Sequence, residues 1–195
     1  IENRITKKTM ACFEPALDYI VVKMPRWDLK KFKQVDKCIG SEMKSVGEVM
    51  SIGRNFEEAL QKALRMISVG MNGLVINNIG FDMLDQELKQ PTDRRIFAIA
   101  EALQKGRTVE GIYNQTKIDR WFLYKMKNII DCEQQLKQEI KKHSGISKEI
   151  LLKAKKLGFS DYQVALIKGC DEIDIRKLRR KLMIFPSIKQ IDTLG

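Results

Sequence analysis

The order of apolar and polar residues changes along the 195-residue chain, and the first quarter has the pattern of strands. Residues 17–23 (LDYIVVK) combine β-branched and aromatic side chains, and Pro25 should end this strand because proline lacks a donor for the ladder. Residues 45–52 alternate, so that Val46, Glu48 and Met50 share one face of a second strand. Gly53 should end that strand.

A helix is predicted directly after the second strand. Asn55 is a suitable N-cap, and Glu57 and Glu58 lie in the positive first turn. Apolar residues recur at helical spacing at positions 56, 60, 63, 64 and 67. Residues 69–80 carry no charge and three glycines. We therefore expect them to connect this small α+β unit to a second unit.

The remainder of the chain has helical periodicity throughout. A short helix candidate spans 81–89, Thr92 is expected to cap a helix that ends at 104, and Thr108 begins another short helix. The longest helix is expected from 118 to about 142. Ser147, Ser160 and Asp171 should cap helices over 148–157, 161–168 and 172–182. These helices, with their short connections, predict an all-α domain of about 115 residues.

The composition is that of a soluble globular protein, with 44% hydrophobic and 31% charged residues. No apolar run is long enough to span a bilayer and no signal-peptide pattern opens the chain, so no membrane partner is expected. The four cysteines lie far apart, which favours reduced thiols over a disulfide framework or a zinc site. His143, the single histidine, lies in a polar stretch typical of a solvated residue.

The net charge of +11 is concentrated in residues 137–195, which hold 14 Lys/Arg and 7 Asp/Glu. Within them, the two capped helices of 160–182 are joined by a glycine, and the second helix carries five basic residues. This pattern is also typical of a helix-turn-helix with a basic recognition helix. A nucleic-acid-binding protein is therefore an alternative function, although packed helical pairs with solvated basic side chains are more common.

No catalytic motif is visible in the sequence. The glycine-rich phosphate loops, the paired histidines of metalloproteases and the serine nucleophile elbow are all missing. Lys23, Arg26 and Glu48 lie on the predicted strands, where they would either face a nucleotide or remain solvated at an edge. The residues alone therefore predict a non-catalytic chain with no metal site and no bound cofactor.

Two long stretches carry a specific resemblance, residues 11–27 (ACFEPALDYIVVKMPRW) and 43–65 (MKSVGEVMSIGRNFEEALQKALR). Shorter words occur at 116–123 (TKIDRWFL), 158–161 (GFSD) and 189–193 (KQIDT). In register from end to end, the chain resembles the large subunit of carbamoyl-phosphate synthetases. The resemblance is weakest at residues 70–90 and 137–148.

The resemblance implies a family that makes carbamoyl phosphate from bicarbonate, ammonia (usually from glutamine) and two ATP, for arginine or pyrimidine synthesis. Its large subunit has two ATP-grasp halves separated by a helical oligomerisation domain. Residues 1–68 would then be the C-terminal segment of the carboxyphosphate-synthetic ATP-grasp domain, and residues 69–195 the all-helical oligomerisation domain. The expected fold is mainly α, with a small α+β remnant in front.

The resemblance also implies the chemistry of the full-length enzyme, here called the parent. It would be an ATP-dependent carbon–nitrogen ligase that uses Mg²⁺ (or Mn²⁺) and K⁺. The ATP lid and metal-binding residues of the first half would lie upstream of Ile1, and the second half would follow residue 195. The chain itself is therefore expected to hold no cofactor and to be inactive alone.

Four residues occupy positions that the resemblance assigns to an interior tunnel, through which carbamate passes between the two active sites: Leu17, Met43, Val46 and Glu48. Apolar walls would keep water from a reactive intermediate. Glu48 would offer an acceptor or a charge gate. The alternative is that all four are ordinary core or edge residues of a sheet, although a carboxylate on an apolar strand face needs an explanation.

The expected partners are the rest of the large subunit, a glutaminase subunit or domain, and further copies of the parent. Nucleic acid is not expected once the resemblance is counted. A candidate self-association surface lies beside the connection, at Phe81, Met83, Leu84 and Leu88, with plain core packing as the alternative. The expected location is the cytoplasm, or the mitochondrial matrix for an ammonia-using form.

Overall fold

The computed structural model describes residues 1–10, 12, 19–31, 34–143 and 145–190. The first quarter of the chain forms strand β1 (Ile20–Arg26), a 3₁₀ turn (Leu29–Lys31) and strand β2 (Gly47–Gly53). Helix α1 (Phe56–Met66) follows directly. The two strands are antiparallel, with Ile20 opposite Gly53 and Arg26 opposite Gly47.

The first strand differs from the prediction at both ends. It begins at Ile20 rather than at Leu17, which lies outside the described residues, and it continues through Pro25, which pairs opposite Glu48. The expectation that Pro25 ends the strand is therefore wrong. Within the described part of the chain, β1 pairs only with β2, and a strand with a free edge tolerates a proline.

Helices fill the rest of the chain, as the sequence predicts. Their bounds are α2 (Leu84–Lys89), α3 (Arg95–Gln104), α4 (Val109–Thr116), α5 (Arg120–His143), α6 (Lys148–Lys156), α7 (Asp161–Lys168) and α8 (Glu172–Lys181). Seven helices thus follow residue 69 in the described ranges, one for each helix that the sequence predicts there. The mainly α fold with a small α+β part is confirmed.

Most of the predicted N-caps form. Asn55, Thr108, Ser147 and Ser160 each accept a hydrogen bond from the backbone N–H three residues further on. Asp171 is the N-cap residue of α8 as predicted, but its side chain makes no capping hydrogen bond. The prediction for Thr92 is wrong, because α3 begins at Arg95 with Arg94 as its N-cap residue. The Thr92 hydroxyl donates instead to the Glu87 carboxylate.

One hydrophobic core runs from α1 through all the later helices. Leu60 and Leu64 of α1 belong to it, beside residues of every helix from α2 to α8. The connection at 69–80 is irregular, as expected, yet Leu74 and Val75 within it are only 2% exposed. This segment is therefore a packed part of the core rather than a free linker. Its placement joins α1 firmly to the helical part of the chain.

Candidate functional site

In the described part of the chain, the outer face of the two-stranded sheet is exposed. Val21 pairs opposite Ile52 and Lys23 opposite Met50. Val21, Ile52 and Met50 are exposed by 40%, 44% and 60%. A sheet of two strands is only marginally stable in water, and contiguous exposed apolar surface commonly marks a contact site. This outer sheet face therefore has the composition of a surface that packs against further protein.

Two of the four predicted tunnel residues, Val46 and Glu48, lie at the outer sheet face. Val46 and Glu48 are both exposed and flank Gly47, as the alternation predicts. The Val46 N–H donates to the Arg26 carbonyl at 2.8 Å, so strand pairing extends one residue beyond β2. Met43 is 89% exposed in the irregular segment before it. Leu17 lies outside the described residues, and the tunnel role of all four stays a prediction.

The charged groups of the sheet neutralise one another. Lys23 Nζ lies 2.9 Å from Glu48 Oε2 on the outer sheet face, with both side chains more than half exposed. Arg26 Nε donates to Asp28 at 3.1 Å, and Lys31 Nζ donates to the same carboxylate at 2.8 Å. These bonds, from Lys31 and then Arg26, lower the pKa of Asp28. The arrangement matches the solvated-edge alternative and does not form a cradle for a nucleotide among the described residues.

The inner face of β2 lies directly on α1. Ser51 is 2% exposed, and its hydroxyl donates to the Ala59 carbonyl at 2.6 Å. A Cβ on Gly53 would stand 2.8 Å from the Ala59 nitrogen, so glycine is required for this close approach. Lys62 Nζ adds a bond to the Ile52 carbonyl at 3.1 Å. The strand and the helix are therefore expected to move as one body.

Helix α1 also caps the end of α6. The last carbonyls of a helix have no partner within that helix. Three consecutive carbonyls here accept bonds from α1 and its N-cap: that of Lys156 from Asn55 Nδ2 (3.0 Å), that of Leu157 from Gln61 Nε2 (3.2 Å) and that of Gly158 from Arg65 Nη1 (2.9 Å). Burial lowers the pKa of Arg65, although a guanidinium still carries its charge at neutral pH.

A buried glutamine of α7 completes this junction. Gln163 is 0% exposed, and its Nε2 donates to Gln61 Oε1 at 3.2 Å and to the Val75 carbonyl at 3.3 Å. Its Oε1 accepts from the Ser160 N–H at 3.0 Å and from Arg65 at 3.2 Å. We call Asn55, Gln61, Arg65 and Gln163 the α1 clamp. Sequence reasoning missed it because the α1 members lie about 100 residues from Gln163 and from the carbonyls that they bind, and they carry no local pattern.

An apolar groove of about 660 Å³ lies between β1 and helices α1, α3 and α5. Met24, Leu64, Phe97 and Met126 contribute to its lining. Phe56 and Phe122 also line it, with ring centroids 5.4 Å apart in an edge-to-face arrangement. Trp121 and Phe122, in the first turn of α5, are 47% and 42% exposed. They place an aromatic edge at the surface beside this groove.

The candidate self-association residues on and before α2 do not share one surface. Leu88 is 0% and Leu84 is 7% exposed, and both belong to the hydrophobic core. Met83 is 67% exposed, while Phe81 is partly buried beneath the Arg94 guanidinium, 4.6 Å from the ring centroid. Only Met83 and part of Phe81 are therefore available to a second molecule, and self-association through them stays a prediction.

The basic helix α8 is fastened by a buried carboxylate. Asp161, 7% exposed, accepts from Arg179 of α8 at 3.1 Å and from Lys155 of α6 at 2.9 Å. Burial alone would raise the pKa of Asp161, but the bonds from Lys155 and Arg179 outweigh it and lower the pKa. Arg176 pairs with Glu172 at 3.2 Å. Two arginines of the predicted recognition helix therefore serve ion pairs within the fold.

Within the described ranges, no three His, Cys, Asp or Glu side chains group as a metal site would require. In the same ranges, no helix is both long and apolar enough to cross a bilayer. The described residues form a packed helical unit that carries a sheet with one exposed face. Such a unit is suited to contribute contact surfaces to a larger assembly.

Comparison with known proteins identifies the family of this chain. Residues 48–183 match the family described as carbamoyl-phosphate synthetase large chain, oligomerisation domain. The chain belongs to this family, which confirms the resemblance found in the sequence. Because the match includes the basic helices α7 and α8, the nucleic-acid alternative gains no support.

Relatives align with the whole chain or nearly all of it. Identity is 50% to the mitochondrial arginine-specific carbamoyl phosphate synthase large chain of Schizosaccharomyces pombe, over 100% of this chain and 17% of the relative. It is 53% to the multifunctional protein pyr1-3 of Dictyostelium discoideum, over 100% and 9%. It is 49% to the carbamoyl phosphate synthase large chain of Sulfurisphaera tokodaii, over 99% and 18%. The chain thus spans less than a fifth of these relatives.

Proposed function

We propose that this chain is a segment of a carbamoyl-phosphate synthetase large chain, where it serves oligomerisation and forms part of the carbamate tunnel wall. The parent would make carbamoyl phosphate from bicarbonate, ammonia or glutamine, and two ATP. The observation that carries the proposal is the family match over residues 48–183, supported by about 50% identity along the whole chain. The segment holds no catalytic residue of its own and would be inactive alone.

Residues 1–68 would close the carboxyphosphate-synthetic ATP-grasp domain, and residues 69–195 would form the oligomerisation domain. The remainder of the first domain would cover the outer sheet face, because Val21, Met50 and Ile52 are otherwise left in water. ATP with Mg²⁺ (or Mn²⁺) and K⁺ would bind elsewhere in the parent. A glutaminase subunit or domain, and further copies of the parent, would be its partners in the cytoplasm or the mitochondrial matrix.

Glu48 is the proposed tunnel residue with the clearest chemical role. Once the outer sheet face is covered, its carboxylate and the Lys23 ammonium, 2.9 Å away, would be enclosed together. Neighbouring Val46 and Met43 would add apolar wall, and Leu17 would join them. A paired carboxylate among apolar residues can accept a hydrogen bond from carbamic acid without leaving an isolated buried charge.

The test uses the full-length synthetase that contains this segment. Glu48→Gln should leave bicarbonate-dependent ADP release intact while less carbamoyl phosphate forms, so that the ratio of ADP to product rises above that of the wild type. The matched control is Glu42→Gln, at an exposed glutamate whose Oε1 lies 2.8 Å from Lys44 Nζ. An unchanged ratio in Glu48→Gln would remove Glu48 from the tunnel. No carbamoyl phosphate from the wild type would refute the parent activity itself.

A further inference from the structure

The α1 clamp connects the sheet that carries Glu48 to helices more than 100 residues later in the chain. We propose that the α1 clamp, with Gln61 and Gln163 at its centre, positions Glu48 by acting through α1 and β2 on the integrity of the tunnel. This inference rests on the proposed function, and it assigns a role to buried glutamines that touch neither ATP nor carbamate.

The clamp prevents α1 from shifting along α6. Its three bonds to consecutive carbonyls fix both the position and the rotation of α1 about its own axis. Gly158, with φ +84°, leaves no space for a side chain, since a Cβ there would stand 2.8 Å from Glu58 Cα. A slide or roll of α1 would break the three bonds together or drive backbone into backbone.

Helix α1 determines where β2 lies. Ser51 is bonded to the Ala59 carbonyl at 2.6 Å, and Gly53 packs against the Ala59 nitrogen. Glu48 lies three residues before Ser51 and on the opposite face, about 10 Å along the strand. A displacement of α1 is therefore transmitted to Glu48 with little loss, because the strand is short and held at its inner face.

Gln163 holds the clamp together. Its amide satisfies Gln61 and Val75 on one side and Ser160 and Arg65 on the other. Methionine has a similar length and no hydrogen-bonding amide, so Gln163→Met would leave these groups without their partner while filling the same space. Asn55→Asp is the gentler variant, because it keeps the N-cap acceptor for Glu58 but loses the donor to Lys156.

The experiment has two measurements. Hydrogen exchange on this chain should show amides of β2 exchanging about tenfold faster in Gln163→Met than in the wild type, and less than that in Asn55→Asp. In the full-length synthetase, the ratio of ADP released to carbamoyl phosphate formed should rise in the same order. Gln104→Met is the matched control, since Gln104 bonds α3 to Glu133 of α5 at 2.7 Å and does not touch α1.

The results distinguish the positioning role of the α1 clamp from the activity proposed for the parent. Faster exchange in β2 together with a raised ratio, in the two clamp variants and not in the control, supports the proposal. Faster exchange with an unchanged ratio overturns it, as does unchanged exchange in both variants. Should Gln163→Met fail to fold, Asn55→Asp alone decides by the same criteria. A wild-type parent that forms no carbamoyl phosphate contradicts the proposed function instead, and the exchange experiment still reports on whether the clamp holds β2.

Discussion

Gly73 has a backbone conformation and a position that exclude any side chain. Its φ is +147°, which L residues rarely adopt, and a Cβ there would stand 2.3 Å from Gln61 Oε1 and 2.7 Å from Gln163 Nε2. The residue thus lets the 69–80 segment cross the α1 clamp at close range. In the sequence it is one of three glycines of an apparent linker, and only the folded arrangement distinguishes it from the others.

Gly73→Ala should destabilise the fold by at least about 2 kcal/mol, because it combines backbone strain with a clash against two buried glutamines. Urea unfolding followed by circular dichroism measures this change. Gly40→Ala is the control, since no atom lies within 4 Å of the added methyl group, and it should change stability by less than about 0.5 kcal/mol. Equal effects of the two substitutions would contradict the close packing of Gly73 against Gln61 and Gln163.

Cys132 shows how burial alone alters the chemistry of a residue. Desolvation raises the pKa of its thiol to about 11, and its side chain is 0% exposed. A thiol-specific disulfide reagent at pH 8 should therefore label exposed Cys12 and Cys38 quickly and Cys132 only after unfolding, because the thiolate is the reactive form. Because the folded-state pKa is raised, this thiol should also lower stability as the pH rises above about 9. Rapid labelling of Cys132 in the native chain would contradict its placement.

At the scale of elements, Asp161 joins three helices through one carboxylate. It occupies the first turn of α7 and accepts from Lys155 of α6 and Arg179 of α8. Removing one member of a buried ion pair leaves the remaining charges without compensation. The packing of α8 on the rest of the chain should therefore depend on this group.

Asp161→Asn should lower the free energy of unfolding by about 2–4 kcal/mol at neutral pH. The folded-state pKa of Asp161 is lowered, so its contribution is present above about pH 4 and is lost as the pH falls further. The variant should consequently show a weaker loss of stability in acid than the wild type. Asp174→Asn is the control, at an exposed carboxylate 3.9 Å from Lys177 Nζ, and should change stability by less than about 0.5 kcal/mol.

The starts of most helices could be predicted from the sequence, whereas contacts between distant segments could not. Helices with a hydroxyl or amide N-cap and an early apolar stripe were predicted near their true starts, because both signals lie within one turn. Thr92 has the local signal of an N-cap but does not act as one, because its hydroxyl bonds to Glu87 and nothing in the local sequence shows this bond. The predicted strand end at Pro25 is wrong because β1 has a free edge, where a proline is tolerated, and the local sequence does not show which strands pair. Gln61 and Gln163 could not be found, since their bond spans 102 residues.

At the scale of the whole molecule, this chain has two candidate contact surfaces of different origin. The outer sheet face exposes Val21 and Ile52 opposite each other on paired strands. Met83 is exposed before α2, while its predicted companions Leu84 and Leu88 lie in the core. The sequence predicts only the second as a self-association surface, because it does not show which strand face lacks a cover.

Association of the isolated chain should be reduced by replacing Val21 and Ile52 with threonine, which keeps β-branching while removing apolar surface. Light scattering at several concentrations measures the average mass. Met83→Thr is the matched comparison on the other surface and should have a smaller effect. A larger effect of Met83→Thr would assign association to α2, and a constant mass in every variant would show that neither surface drives it.

The capping of α6 by α1 determines where this chain can be divided. A shorter polypeptide that starts at residue 69 keeps seven helices but loses Asn55, Gln61 and Arg65, the donors for three carbonyls. It also loses the core residues Leu60 and Leu64 of α1, and burying a leucine side chain contributes about 1.5–3 kcal/mol, against a total stability of about 5–15 kcal/mol for a typical domain. A chimera should therefore carry β1, β2 and α1 together with the helices, with its junction ahead of Ile20, because β1 and β2 pair only with each other in the described part of the chain.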